Sequence, residues 1–223
     1  MSIKELLAHG SNYTTTSGRR IDYIVIHYTG NDGDTAEGNC KYFSSAGRNA
    51  SAHYFVDERE TWRSVRDKDK AWHCGGKTYY HAKCRNTNAL GIELCSRKDK
   101  SGAYYFKPET IARAVALTRA KMAEYGIPPE HVVRHYDVTH KMCPAPFVQD
   151  AAAWQAFKNA LTAREDSDAM TTYKTIADAP DWAQATLKKL MDKKALKGDG
   201  NGNINVSEDF CRTMVVLDRL SVF

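Results

Sequence analysis

The chain of 223 residues contains no apolar run near the roughly 20 residues that cross a bilayer, so no helical membrane insertion is expected. It has no Cys-x-x-Cys pair, which argues against a zinc ribbon. No basic helix is interleaved with aromatics, so no nucleic acid is expected as a partner. The N-terminus, Met1 to Gly10, lacks a long apolar core and carries Glu5, which makes it a poor secretion signal. Synthesis in a cytoplasm, without a route of its own through general secretion, is therefore the expectation.

What is present is the composition of an ordinary globular protein, with 42% hydrophobic and 26% charged residues. Six cysteines, at 40, 74, 84, 95, 143 and 211, are irregularly spaced, which favours free thiols over a disulfide framework. Charge is uneven. Residues 1–163 hold 23 basic and 17 acidic side chains, a net of +6, and residues 164–223 hold 9 and 10, a net of −1.

The pattern alternates between strands and helices, which predicts an α/β domain. Apolar runs at 21–27, 53–56, 60–64, 90–95 and 131–135 read as strands, the second and third paired across a turn at Asp57-Glu58-Arg59. Residues 34–45, 109–125 and 151–161 read as helices. In the second of these, Pro108 precedes the start, Gly126 suits the C′ position, and Ile111, Val115, Thr118, Met122 and Tyr125 share a face. Glu93 interrupts an apolar strand, and a carboxylate there needs a partner, water or a task.

Two histidines and a cysteine carry the chemical signal: His27 at the end of the first strand, and His135 and Cys143 eight positions apart. Two imidazoles and a thiolate suit zinc, and three protein ligands leave a fourth position open. Separation in sequence says nothing about proximity. The segments around them say more. Ile24-Val-Ile-His-Tyr-Thr29, Ser51-Ala-His-Tyr-Phe-Val-Asp57, Ala71-Trp-His-Cys-Gly75, Leu90-Gly-Ile-Glu-Leu-Cys95 and Val133-Arg-His-Tyr-Asp137 with Lys141-Met-Cys-Pro144 occur in this order.

Over residues 20 to 160 the chain resembles the zinc-dependent N-acetylmuramoyl-L-alanine amidases of the type-2 family, which include phage and prophage endolysins and are related to peptidoglycan recognition proteins. The resemblance implies a mixed central β-sheet flanked by helices. It implies zinc held by His27, His135 and Cys143, with Glu93 as general acid/base and Lys141 steadying the oxyanion. Thr29, Asn31, Trp72 and His73 are expected to bind substrate, His73 on the cleft rim. His53 is expected to be a structural hydrogen-bonder. Some relatives carry a tyrosine just before the His53 position, where this chain has Ala52, so the burden falls on Glu93.

The implied partner is bacterial peptidoglycan, an anionic polymer that a basic first part would approach readily. Action at the cell wall after release from the cytoplasm follows from the same resemblance. The rival from another class is a non-catalytic peptidoglycan-binding protein of the same fold; such proteins typically lose the metal-binding cysteine, and Cys143 is present. A polymerase regulator is a further alternative, but no polymerase-binding surface is identifiable.

The organisation expected is a zinc amidase catalytic domain over 1–163, a linker over 164–172 and a small helical C-terminal domain over 173–223. In the last, helices are expected at 181–196, with Ala183, Leu187, Leu190 and Met191 inward, and after Ser207 as N-cap, with Phe210, Met214 and Leu217 inward. These stripes look too small for an independent core, so self-association as a homo-oligomer or docking on the first domain is expected of them ahead of wall binding. Asp199, Asn201 and Asn203 have calcium-loop spacing, but Ile204 and Phe210 replace the glycine and glutamate such a loop needs, so a plain turn is expected.

Overall fold

Tyr23-Ile-Val-Ile-His-Tyr28 is a run of β-branched and aromatic residues, and it forms an interior strand, buried on both faces, of a six-stranded sheet. The computed structural model describes residues 2–163 and 171–222. In chain order the sheet strands are β1 (Lys4–Glu5), β2 (Tyr23–Tyr28), β3 (Tyr54–Val56), β4 (Thr61–Arg63), β5 (Ala89–Leu94) and β6 (Val132–Arg134). Across the sheet they lie β1-β4-β3-β5-β2-β6. Only β3 and β4 pair antiparallel, as the two arms of a hairpin; the other pairs are parallel. This is a mixed sheet, and helices cover both of its faces.

The helices are α1 (Ala36–Phe43), α2 (Pro108–Tyr125), α3 (His135–Thr139), α4 (Ala145–Gln149) and α5 (Ala151–Thr162). Strand alternation divides the sheet. Ile24, Ile26, Leu90, Ile92, Tyr54 and Val56 join one core with Leu117, Phe147 and Phe157 from α2, α4 and α5. Tyr23, Val25 and Ala89 face the other way, the same way as His27 and Glu93 by parity. Leu117 is fully buried, and its truncation to alanine should cost about 2–5 kcal/mol.

Helix α2 starts with Pro108 at its first position and ends at Gly126, whose φ of 64° is the left-handed cap that glycine accepts without strain. Its deepest stripe is Thr110, Ala114, Leu117, Thr118 and Lys121. Of the face expected from sequence, Ile111, Val115, Met122 and Tyr125 are only half-buried flanks of that stripe. Lys121 is admitted because Asp67 lies 2.7 Å from its ammonium. Strand β6 ends one residue earlier than expected, so His135 opens α3 instead of closing the strand.

The chain divides into two compact units, Met1–Ala163 and Arg164–Phe223. Of the linker expected at 164–172, residues 164–170 lie outside the described residues. In the second unit α6 (Asp181–Asp192) and α7 (Glu208–Arg219) pack together, with a two-stranded pair at Thr172–Tyr173 and Val206–Ser207. Helix α6 stops four residues short of the expected Leu196, where the chain turns through Lys194 at φ 59°. Ser207 caps α7 by accepting the Phe210 N–H. The buried residues of α7 are Cys211 and Val215, so the inward face is not centred on Met214 and Leu217. Ala183, Leu187, Ile204, Val206, Cys211 and Val215 gather into a small buried cluster within this unit. Asp199 accepts the Asn201 and Asn203 backbone N–H groups and the Asn203 amide, so its carboxylate closes a plain turn.

Candidate active site

Parallel pairing brings the candidate residues together. His27 of β2 is the register partner of Glu93 of β5, and Phe55 of β3 is Glu93's partner on the other side. Arg134 of β6 pairs with Ile26, so the next residue, His135, reaches the level of His27. Three neighbouring strands thus deliver His135, His27 and Glu93 at their carboxyl ends, where ligands of open α/β sheets usually bind.

Cys143 arrives from the loop that follows α3. His140 ends that helix in the left-handed conformation at φ 59°. The chain then doubles back, and the Cys143 carbonyl accepts the Tyr136 N–H at 2.8 Å, fixing Cys143 beside the start of α3. Arg134 secures the same corner through a bidentate grip on Asp137. The result is that one ligand atom from each of His27, His135 and Cys143 lies within 4.8 Å of the others, and all three residues are buried. Cys143 Sγ is 3.6 Å from His27 Nδ1. All six cysteines are free thiols.

Burial keeps this cluster neutral. It lowers His27 well below the usual imidazole range, with His135 and His73 adding to the effect. Burial and then the Lys141 charge push His135 down to about 3, and burial and then Glu93 push the Cys143 thiol up to about 12. Both ring nitrogens of His135 are sealed from solvent without a hydrogen-bond partner. An orphaned imidazole, a second with a nitrogen facing it, and a thiol are what a soft tetrahedral metal ion would complete. The residues fit a metal.

Glu93 stands beside them, its Oε1 3.9 Å from His27 Nδ1. Its other oxygen, Oε2, is buried and unpartnered. Burial raises its pKa to about 8, against the opposing charge of Lys141. A carboxyl group in that range can both hold and release a proton near neutrality.

A cavity of about 320 Å³ opens over the cluster, lined by Thr29, Trp72, His73, Glu93 and Lys141 among others. An adjoining groove of about 580 Å³ runs along α1 past Asn31, Asp34 and Tyr42. Thr29 and Lys141 line both spaces, Asn31 only the groove, and Trp72 and His73 only the cavity. Lys141 is exposed. Trp72 spends its indole N–H on Thr14 Oγ1 at 3.0 Å, so it offers a ring face. His73 does not sit on a rim: it is 9% exposed and lies behind His27, its Nδ1 3.0 Å from His27 Nε2. His53 is structural, as expected, its Nδ1 accepting the Gly91 N–H. Phe43, Phe55, Tyr28 and Asp34 also line these spaces and were not anticipated, although alternation in β3 turns Phe55 away from the core that holds Tyr54 and Val56.

Fold and site together define a mixed α/β protein with a candidate three-ligand metal centre at the carboxyl end of its sheet. The N-acetylmuramoyl-L-alanine amidase family model matches residues 17–146, and the chain belongs to that family. It is 37% identical over 143 residues to a probable N-acetylmuramoyl-L-alanine amidase of Bacillus licheniformis, covering 60% of this chain and 39% of that protein. It is 35% identical over 153 residues to the N-acetylmuramoyl-L-alanine amidase BlyA of Bacillus subtilis (strain 168), covering 63% and 41%. The aligned part thus spans about two fifths of the length of these curated relatives. The solved catalytic domain of XlyA superposes with a TM-score of 0.61 at 25% identity, over 72% of this chain and 99% of that one. PlyL gives 0.61 at 26%, over 72% and 97%.

Proposed function

We propose that the chain is a zinc-dependent peptidoglycan hydrolase that cleaves the amide between N-acetylmuramic acid and L-alanine. The observation that carries this is the meeting of His27, His135 and Cys143 beside Glu93, which is half-buried and has one sealed, unpartnered oxygen. Zinc held by the two imidazoles and the thiolate would supply Lewis acidity toward an amide carbonyl and toward water. Glu93 takes a proton from the attacking water and returns it to the departing amide nitrogen, turning a poor leaving group into a neutral amine. Lys141, on the loop two residues before Cys143, offers its ammonium to the developing oxyanion. Thr29 and the Trp72 ring face border the cavity, and Asn31 borders the groove, where they would orient the sugar and peptide arms of the substrate.

The site of action would be the bacterial wall, and among the described residues no helix is long and apolar enough to cross a membrane. Digestion of purified peptidoglycan with and without chelator tests the reading. New muramic-acid lactyl carboxylates and L-alanine amino termini that disappear with chelator are expected; new reducing sugars, or no products with zinc loaded, would overturn it.

The second unit would bind wall or pair subunits, raising the local concentration of the first at an insoluble surface. A chain ending at 163 should remain folded and keep its turnover of soluble muropeptides while losing rate on intact walls. Equal lysis of walls by both chains, measured as turbidity loss, would remove any such role, and equal monomeric masses in sedimentation would remove pairing.

A further inference from the structure

We infer that His73 is a positioning residue for the metal centre: it holds His27 in the one tautomer whose free nitrogen faces the cluster. The inference rests on the metal reading above and goes beyond it to a residue outside the ligand set.

The argument follows the protons. His73 Nε2 lies 3.4 Å from the Ala89 carbonyl oxygen, which can only accept. A neutral His73 therefore carries its proton on Nε2, and its Nδ1 is a lone pair. That lone pair is 3.0 Å from His27 Nε2, so His27 must donate there and carry its own proton on Nε2. The remaining nitrogen of His27, Nδ1, is left as a lone pair. It is the nitrogen 3.6 Å from Cys143 Sγ and 3.9 Å from Glu93 Oε1. The opposite tautomer would put a proton where a metal must bind.

The seat of His73 is built for this. Its ring crosses that of His27 edge to face, with an interplanar angle of 89°. Its backbone N–H donates to Asn86 Oδ1, and the next N–H, that of Cys74, donates to the same oxygen. The ring lies on the backbone of β5 at Gly91, where a Cβ would come within 2.5 Å of His73 Cγ. Any larger residue at 91 must push the ring off. Gly91 is thus part of the same device, though it touches no ligand. A carboxylate could accept the same proton, but an isolated negative charge in this buried place would be expensive to desolvate. A neutral imidazole accepts without that cost. His135 has no comparable partner, since both its nitrogens are unbonded. Of the two imidazoles, His27 is oriented before metal arrives and His135 is oriented by it.

The test uses the full chain. Long-range proton–nitrogen NMR on the metal-free protein at neutral pH should show His27 protonated on Nε2 and His73 protonated on Nε2. Zinc affinity, measured by competition with a chromophoric chelator, should fall about 10–100-fold in His73→Ala, the usual range for loss of an outer-shell partner. His73→Asn, whose side-chain oxygen can sit near the former Nδ1, should recover most of that loss. Gly91→Ala should weaken zinc binding in the same direction, and cobalt in place of zinc should show a shifted visible spectrum in both weakened variants. A His27 proton found on Nδ1 would overturn the inference, and so would His73→Ala binding zinc within about twofold of the parent. If His73→Ala does not fold, the tautomer measured on the parent still decides. Failure of the metal reading itself would look different: the parent chain would take up no zinc.

Discussion

Glu58 and Glu93 belong to the same unit and have opposite surroundings. Glu58 sits in the turn between β3 and β4, where Arg97 and Lys107 each approach to 2.9 Å. Burial works to raise its pKa, but these hydrogen bonds and charges outweigh burial and hold it at about 2. Glu93, at the end of β5, has one oxygen with no partner, and burial lifts it to about 8. The first carboxylate is ionised throughout the useful pH range and ties a turn to two other segments. The second sits where its proton can come and go. A fold that surrounds one glutamate with cations and leaves another unpaired beside three metal-type ligands has separated a stabilising task from a chemical one.

The strongest way to break that comparison is Glu93→Gln. The amide keeps the shape and cannot shuttle protons, so turnover of soluble muropeptide should fall about 10²-fold or more with zinc retained. Stability should move the other way in the metal-free chain. The folded form holds the Glu93 proton between pH 4.5 and about 8, so stability drops as pH rises through that window. Glu93→Gln lacks this loss, and its advantage in denaturant titration should grow toward pH 8 and fade below 4.5. Near-normal turnover, or lower stability than the parent at pH 8, would mean that Glu93 is a structural residue like Glu58.

Lys141→Ala sharpens the same contrast with a smaller effect. Oxyanion donors in dry sites contribute about 10²–10³-fold, and Lys141 is exposed, so a loss nearer tenfold in kcat is expected, with KM little changed. Unchanged kcat would leave Lys141 as a solvated loop residue that happens to border the cavity.

What the sequence made legible divides along similar lines. His27, His135, Cys143 and Glu93 could be picked out because two imidazoles and a thiol suit zinc, a carboxylate inside an apolar strand needs a task, and the segments around all four resemble those of a known family. Their convergence could not be seen, because it depends on β6, β2 and β5 being neighbours, and strand order is a tertiary fact. The work of His73 was hidden for the same reason: its partners, His27 and Ala89, lie 46 and 16 residues away. Helix faces were read approximately. The α2 stripe shifted toward Thr110 and Lys121 because Asp67 neutralises a lysine that hydropathy would place outside. In α7 the small residues Cys211 and Val215 took the core in place of Met214 and Leu217, since packing rewards fit as well as hydrophobicity.

Glu58→Gln probes the other side of the comparison and should give the smallest effect. The variant keeps volume and some hydrogen bonding but loses the charge that Arg97 and Lys107 approach. Side chains in this cluster are between 14% and 39% exposed, so water screens part of the interaction. A loss of about 1–3 kcal/mol at pH 7 is expected in urea titration, with turnover per folded molecule unchanged. The pH dependence fixes the assignment. The folded pKa of Glu58, about 2, lies below its ordinary value of 4.5, so its contribution is fully present above pH 4.5 and is lost as pH falls through about 2. Parent and variant should therefore differ at pH 7, with the parent the more stable, and converge as the pH approaches 2; in the Glu93 pair the sign is reversed, since the glutamine is the more stable as pH rises. If the Glu58 difference persisted unchanged at pH 2, the turn would owe its stability to shape and not to charge. The opposition between the two glutamates would then rest on Glu93 alone.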